Sequence, residues 1–332
     1  MKKVTIKDIA KELNISIATV SRALNDSGYI SAEVKSQVLK LAKELNYIPN
    51  KIAKNLKSNR TNMIGIVVPD ISNEYYLTAA KGIEDTLLSD ELTLLFSSSN
   101  ENPSDEKKIL NVMFEQRVDA VVLATSGLNA EDLNFASANN MKVILFDRRI
   151  DNVDFNVVVE DNYLNSYNLA KDVIERGHQK IAILAGLQNV STGHERLDGI
   201  KYCLIDHDID LKDEYLFIGD FGKETGEAAA DYFLELEDPP TAIISCNNHM
   251  TLGMVSRLYK HDRANLRKFF IASYGSIELD TFFDNEFYIS TVQDPYKMGV
   301  AVGNLLNQIL SGKQEKPKEI IFLRKKCKII FK

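Results

Sequence analysis

The chain has 332 residues, 45% hydrophobic and 26% charged, enough length and apolar content for two or three domains with buried cores and too polar for a membrane protein. Three cysteines (Cys203, Cys246, Cys327) without Cys-x-x-Cys spacing exclude a disulfide framework and a cysteine metal site, and the charged start Met1-Lys2-Lys3 occupies the place where a secretory leader needs an apolar run, so a cytoplasmic protein is expected. The net charge of −7 hides an asymmetry, because residues 1–60 hold 12 Lys/Arg against 5 Asp/Glu while the remainder holds 28 against 42. A small basic module for a polyanion, joined to an acidic body, is the organisation this implies.

Thr5-Ile6-Lys7-Asp8 reads as a capping box, followed by Ile6, Ile9, Ala10 and Leu13 at helical spacing. Ser16 caps a second short helix through Asn25, with Val20 and Leu24 turned inward and Ile17, Ala18, Thr19, Ser21 and Arg22 on or near the open face. Ser31 caps a third, whose apolar stripe is Val34, Val38, Leu41 and Leu45. Two short helices joined by a tight turn, with a third in support, match the helix-turn-helix unit; a three-helix bundle with a solvated face is the plainer alternative. The second helix favours the former, since Arg22 can bond guanine O6 and N7 and Ile17 and Ala18 can meet thymine methyls, while Thr5, Ser16, Ser21 and Ser31 are candidate phosphate ligands at helix ends.

The run Val4-Thr5-Ile6-Lys7-Asp8-Ile9-Ala10, then Ser16-Ile17-Ala18-Thr19-Val20-Ser21-Arg22-Ala23-Leu24-Asn25 and Leu45-Asn46-Tyr47-Ile48-Pro49-Asn50, resembles the N-terminal domain of the lactose-repressor/galactose-repressor (LacI/GalR) family. The resemblance implies that Ile17, Ala18 and Arg22 read base edges, with Thr19 and Asn25 on the same helix. Residues 50–61 are a linker by position, and Ile52, Ala53 and Leu56 share one helical face. The resemblance implies a hinge helix that folds on DNA, contributes Asn50 and Ala53, and wedges Leu56 into a minor-groove step.

From Asn62 onward apolar strands alternate with amphipathic helices. Strands are predicted at 63–68, 92–97, 120–124, 143–146, 156–159, 180–185, 241–245, 269–273, 289–292 and 319–323, and helices at 75–89, 103–116, 129–139, 162–176, 196–207, 223–235, 249–259 and 295–310. This alternation predicts doubly wound parallel sheets, and about 270 residues divide into two subdomains. The expected boundaries are 1–49 for the DNA-binding domain, 50–61 for the hinge and 62–332 for the effector-binding and dimerisation body. Within that body, 62–160 with 293–320 form one subdomain and 161–292 with 321–332 the other. Ligands bind beyond the carboxyl ends of such strands, where Ser72, Tyr75, Thr125, Asp147, Arg148, Arg196, Asn247, Tyr274 and Gln293 fall; these groups suit a polyol or nucleoside, although loop residues are polar in any case.

Ile64-Gly65-Ile66-Val67-Val68-Pro69-Asp70, Leu145-Phe146-Asp147-Arg148, Gly177-His178-Gln179-Lys180 and Arg196-Leu197-Asp198-Gly199 resemble segments of the same family's periplasmic-sugar-binding-like body. What this implies is an effector pocket at Asp147, Arg196, Asn247 and Gln293, with Tyr75 against the ligand. The chain departs from the family pattern at Glu74, at Asn248 after Asn247, and at Gly275, where a ligand-gripping carboxylate is common. Loss of that acid lowers repulsion toward a phosphate near Arg148, Arg149 or Arg196, which admits an atypical or phosphorylated sugar.

No G-x-G-x-x-G, P-loop, G-x-S-x-G or zincin motif is present, and His178, His194, His207, His249 and His261 lack metal-ligand spacing, so no cofactor or metal is expected. The combined reading is an α-helical helix-turn-helix DNA-binding domain plus an α/β periplasmic-binding-protein-like body of two doubly wound parallel-sheet subdomains. Its expected function is a transcriptional repressor of a carbohydrate-utilisation operon, not an enzyme, with near-palindromic double-stranded operator DNA and a small sugar or sugar-phosphate effector as partners. A homodimer is expected, because no heptad helix follows Leu323. The alternatives are an α/β enzyme or sugar-binding protein with a basic arm, or a regulator controlled by a protein corepressor.

Overall fold

The computed structural model of the protein describes residues 4–47, 60–87, 92–128, 130–278, 287–313, 316–323 and 326–331. The chain divides into two units, Met1–Thr61 and Asn62–Lys332. No helix among the described residues is long and apolar enough to cross a membrane.

The first unit contains α1 (Ile6–Glu12), α2 (Ile17–Asn25) and α3 (Ala32–Glu44). Each starts at a polar cap. The Thr5 amide and hydroxyl both donate to Asp8 Oδ2, at 2.8 and 2.7 Å, and the Oγ atoms of Ser16 and Ser31 accept from the amides of Thr19 and Val34. Asn14 and Asp26 adopt left-handed φ of 52°, which turns the chain sharply after α1 and α2. Ile9, Val20 and Val38, one from each helix, are fully buried, and Ala10, Ala23 and Ala42 let the helices approach around them.

The second unit holds two sheets. The first is built from β1 (Met63–Val68), β2 (Thr93–Ser98), β3 (Ala120–Leu123), β4 (Val143–Phe146), β5 (Asn156–Glu160), β11 (Lys318–Leu323) and β12 (Lys326–Phe331), in the order β12-β11-β5-β4-β3-β1-β2. The second comprises β6 (Ile181–Ala185), β7 (Leu216–Ile218), β8 (Ala242–Ser245), β9 (Phe270–Ser273) and β10 (Tyr288–Ser290), in the order β10-β9-β8-β6-β7. All pairings are parallel except β11 with β12. β3 and β4 are wholly apolar and buried, as strands covered on both faces must be. Each sheet repeats one winding, in which the second strand lies to one side of the first and the later strands to the other, so the order reverses between β1 and β3 and again between β6 and β8. Crevices at the carboxyl ends of strands open at such points.

Helices α4 (Glu74–Thr86), α5 (Pro103–Glu115), α6 (Asn134–Ala138) and α11 (Pro295–Leu310) accompany the first sheet; α7 (Asn162–Ile174), α8 (Ser191–Asp206), α9 (Lys223–Glu235) and α10 (Asn248–His261) accompany the second. The chain crosses from the first sheet to the second after β5 and returns between β10 and α11. Here the expected boundaries need correction. The segment 321–332 was expected in the second subdomain, but 321–323 complete β11 and 326–331 form β12, antiparallel to β11 in the first sheet, with Leu323 opposite Lys326. A connection of two residues reaches only a neighbouring strand, so the hairpin keeps the chain where β11 put it.

Three other elements differ from expectation. α6 is shorter, spanning Asn134–Ala138; β7 is an additional strand of three residues; and α8 begins at Ser191, five residues ahead of Arg196. A Cβ at Gly193 would lie 1.6 Å from the Leu187 carbonyl oxygen, so this glycine is demanded by close approach inside a helix although it reads locally as a loop residue.

The α4/α11 pair is packed with equal intimacy, since a Cβ on Gly299 would sit 2.0 Å from the Ala79 carbonyl oxygen and one on Gly82 2.2 Å from that of Tyr296. Alanine for glycine inside a helix ordinarily gains about 0.5–1 kcal/mol. Gly299→Ala should instead lose about 1–3 kcal/mol in urea unfolding, because the helices must separate; a gain in stability would disprove the close packing.

Candidate functional site

The first unit presents α2. Ile17 is 46% exposed, and Ala18 and Arg22 are exposed beside it, while Val20 and Ala23 on the opposite face are buried. Ser21 and Thr19 are half-buried, and the Asn25 amide donates to the Ser21 carbonyl at 2.8 Å. An apolar pair at the start of a capped helix, with the Arg22 guanidinium four residues beyond Ala18 on the same exposed side, forms a surface that can enter a major groove. Thr5, Ser16 and Ser31 serve first as helix caps, which leaves them at helix N-termini where phosphate is favoured. Asn50, Ala53 and Leu56 of the expected hinge lie outside the described residues.

In the second unit a cavity of about 310 Å³ lies between the two sheets at the carboxyl ends of their strands, lined from the first by Asp70, Tyr75, Asp147 and Arg148 and from the second by Arg196, Phe221, Asn247 and Tyr274. Arg196 is buried; its Nε donates to Asn162 Oδ1 at 2.8 Å, its Nη1 to the Cys246 carbonyl at 2.9 Å, and its guanidinium carbon stands 3.8 Å from the centre of the Tyr274 ring. Arg148 is buried too, but Glu101 grips both its terminal nitrogens at 2.7 Å and the Thr125 carbonyl accepts from Nη1. Asp147 sits in a left-handed turn, φ 63°, and accepts from the Tyr76 hydroxyl at 3.0 Å. Burial, joined by the charge of Asp147, holds Tyr75 and Tyr76 well above the ordinary phenol range, so both stay neutral. Tyr75 stacks on Phe146 with ring centres 6.0 Å apart.

Asn247 caps α10 through Met250 N at 2.7 Å and donates to the Phe221 carbonyl at 3.1 Å. At the rim Asn248 Nδ2 reaches Asn73 Oδ1 across the cleft at 3.3 Å, and His249 lies 3.7 Å from Asp70. Two buried polar atoms on the wall, Thr192 Oγ1 and Arg148 Nε, find no hydrogen-bond partner among the described residues. A buried donor left unmade is costly, which makes these two atoms candidates for bonding a ligand.

Two family comparisons agree with this division. Residues 5–50 match the bacterial regulatory proteins of the lacI family, and residues 64–314 match a periplasmic binding protein domain. The chain belongs to the lacI family of regulators. It is 31% identical to the probable HTH-type transcriptional repressor ExuR of Bacillus subtilis over 77% of each chain, and 27% identical to catabolite control protein A of Priestia megaterium over 93% of each. In fold it resembles the lac repressor dimer bound to operator and the anti-inducer ONPF, with a TM-score of 0.81 at 21% identity, covering 99% of this chain and 98% of that one.

Within this lacI-family body the structure brings together seven of the nine expected pocket residues: Tyr75, Asp147, Arg148, Arg196, Asn247, Tyr274 and Gln293. Ser72 and Thr125 do not line it. Ser72 is exposed and bonds Asp70 through its amide and hydroxyl, so the carboxylate it holds, not the serine, faces the cavity. The Thr125 hydroxyl donates to the buried Glu106 carboxylate at 2.8 Å, pointing into the first subdomain. Arg149, expected near a phosphate, pairs instead with Glu195 and Glu319 outside the cavity. Sequence reasoning missed Glu101, which follows β2 by three residues, Phe221, which follows the unexpected β7, and Thr192, which shares a face of α8 with Arg196 once the helix begins at Ser191.

Arg148 depends on Glu101, and removing one member of a buried pair strands the other. Glu101→Ala should therefore cost about 3 kcal/mol in denaturant unfolding of the full chain. A loss below about 0.5 kcal/mol would mean that water replaces the carboxylate without penalty.

Proposed function

We propose that the protein is a cytoplasmic transcriptional repressor that binds a near-palindromic operator as a homodimer and responds to a small polyol held between the two subdomains of its body. The observation that carries this reading is the union in one chain of an exposed Ile17-Ala18-Arg22 face on a capped helix with a polar cleft lined from both sheets. The relatives support it, being named as transcriptional repressors or a control protein, and the lac repressor structure pairs a dimer with an operator and a small anti-inducer. These relatives favour a regulator over an enzyme.

An uncharged polyol or sugar fits better than a sugar phosphate. Of the three arginines near the expected phosphate, Arg148 has both terminal nitrogens on Glu101 and Arg149 is paired outside the cavity, while Asp147 faces the ligand space. Arg196, Asn247 and Thr192 supply bonds for hydroxyls, and Phe221 and Tyr75 supply apolar ring surface. A ligand touching both subdomains sets how far they close, and closure is the element through which binding alters DNA affinity.

On operator fragments selected from genomic DNA, Arg22→Ala should weaken binding by about 1–3 kcal/mol and relax choice at one base pair per half-site. An equal loss on random DNA would assign Arg22 to phosphate alone. Leu56→Ala should weaken operator binding while sparing salt-sensitive non-specific binding. For the cavity, thermal-shift screening of sugars and polyols should yield a ligand whose stabilisation is lost in Arg196→Ala and whose presence changes operator affinity by roughly 5- to 150-fold. A ligand bound equally well by the variant would place the control site elsewhere, with a protein corepressor as the account to test next.

A further inference from the structure

One carboxyl joins the two subdomains beneath the cavity wall. Glu160 is the last residue of β5, directly before the chain crosses to the second sheet, and only 5% of it is exposed. Its Oε2 accepts from Gln293 Nε2 at 2.7 Å and from the Tyr274 hydroxyl at 3.1 Å. Gln293 lies on the returning segment between β10 and α11, and Tyr274 directly follows β9, so both crossings and the second sheet meet at this group. Gly275 makes the arrangement possible. Its φ is +86°, and a Cβ there would lie 2.4 Å from Gln293 Oε1; with no side chain present, the carboxamide fills that space and turns its amide toward Glu160.

We propose that Glu160 is a positioning residue of the cavity, acting through Tyr274 and Gln293, and that its ionisation weakens ligand binding. This rests on reading the cavity as the effector site. The charged and titratable groups around it come from every neighbouring element: Asp147 after β4, Arg196 on α8, Tyr75 on α4 and Tyr274 after β9. Asp161 adjoins it in sequence and caps α7 through Leu164 N, while Asn162 Nδ2 bridges the Glu160 carbonyl to Glu195, itself paired with Arg149. Burial drives the Glu160 carboxyl up to about 7, opposed by the Gln293 bond and by Arg196 and reinforced by Asp147. Displacing water from the cavity extends that burial, and an anionic ligand would add repulsion, so either kind of ligand favours the protonated form. Binding then takes up a proton, and affinity is highest below the free-protein value and falls as pH rises through it.

The test uses the full chain and D-glucose, D-glucuronate, D-glucose 6-phosphate and adenosine as probes, following the one that binds most tightly by calorimetry between pH 6 and pH 8.5 in buffers of different ionisation enthalpy. In the natural protein the Kd should rise roughly three- to tenfold across this range, with uptake of up to one proton. Glu160→Gln should give a flat profile without proton uptake. Tyr274→Phe, which keeps the carboxyl and removes one donor to its charged form, should move the midpoint to higher pH. A pH profile unchanged in both variants overturns the assignment to Glu160 while Arg196-dependent binding stands. A probe whose binding survives Arg196→Ala overturns the reading of the cavity and the proposal with it.

Discussion

A buried guanidinium must be surrounded by acceptors, and in this body that requirement organises the cavity. Both hydrogen-bond acceptors of Arg196, the Asn162 side chain and the Cys246 carbonyl, are neutral, and the Tyr274 ring covers one face of the cation. These groups come from the start of α7 and the ends of β8 and β9, so satisfying one side chain fixes three loops of the second sheet. Asp147 and Glu160 on the first sheet lie close enough to stabilise its charge, which gives the two subdomains an electrostatic reason to face each other. The ligand space is what remains among groups already committed to that arrangement.

The cleft is tied on several sides without being welded. Arg149 from the first subdomain pairs with Glu195 on α8 and Glu319 on β11, and its amide donates to the Ser191 hydroxyl at 2.9 Å. At the rim Asn73 and Asn248 share a hydrogen bond. Such contacts are polar, and those of Arg149 are partly buried like the Glu160 cluster beneath them. The apolar cores on each side are separate, so no hydrophobic cluster spans the cleft among the described residues. Glu106, buried under the Thr125 turn and pushed up to about 7 by burial, belongs to one core and plays no part in these contacts.

Local rules decided much of this protein before any chain was folded. Caps at Thr5, Ser16 and Ser31, the helical spacing of apolar residues behind them and the exposed Ile17, Ala18 and Arg22 follow from near neighbours along the chain, and so do the apolar strands whose alternation with helices demands doubly wound sheets. Asp147, Arg196, Asn247 and Gln293 were legible as pocket residues because strand ends in such sheets converge and because their surrounding segments resemble a known family.

Tertiary structure decided what spacing cannot encode. Whether Thr125 faces the cavity depends on Glu106, nineteen residues earlier, claiming its hydroxyl; whether Arg148 offers charge to a ligand depends on Glu101, which lies after a different strand. The placement of 326–331 depends on a hairpin closing onto β11, and the start of α8 on Gly193 meeting the Leu187 carbonyl. Glu160 lies just past the strand that the sequence predicts at 156–159. Its role appears only when Tyr274 and Gln293, 114 and 133 residues away, donate to the same oxygen, because burial and hydrogen bonding between distant segments are properties of the packed chain and leave no periodic trace along it.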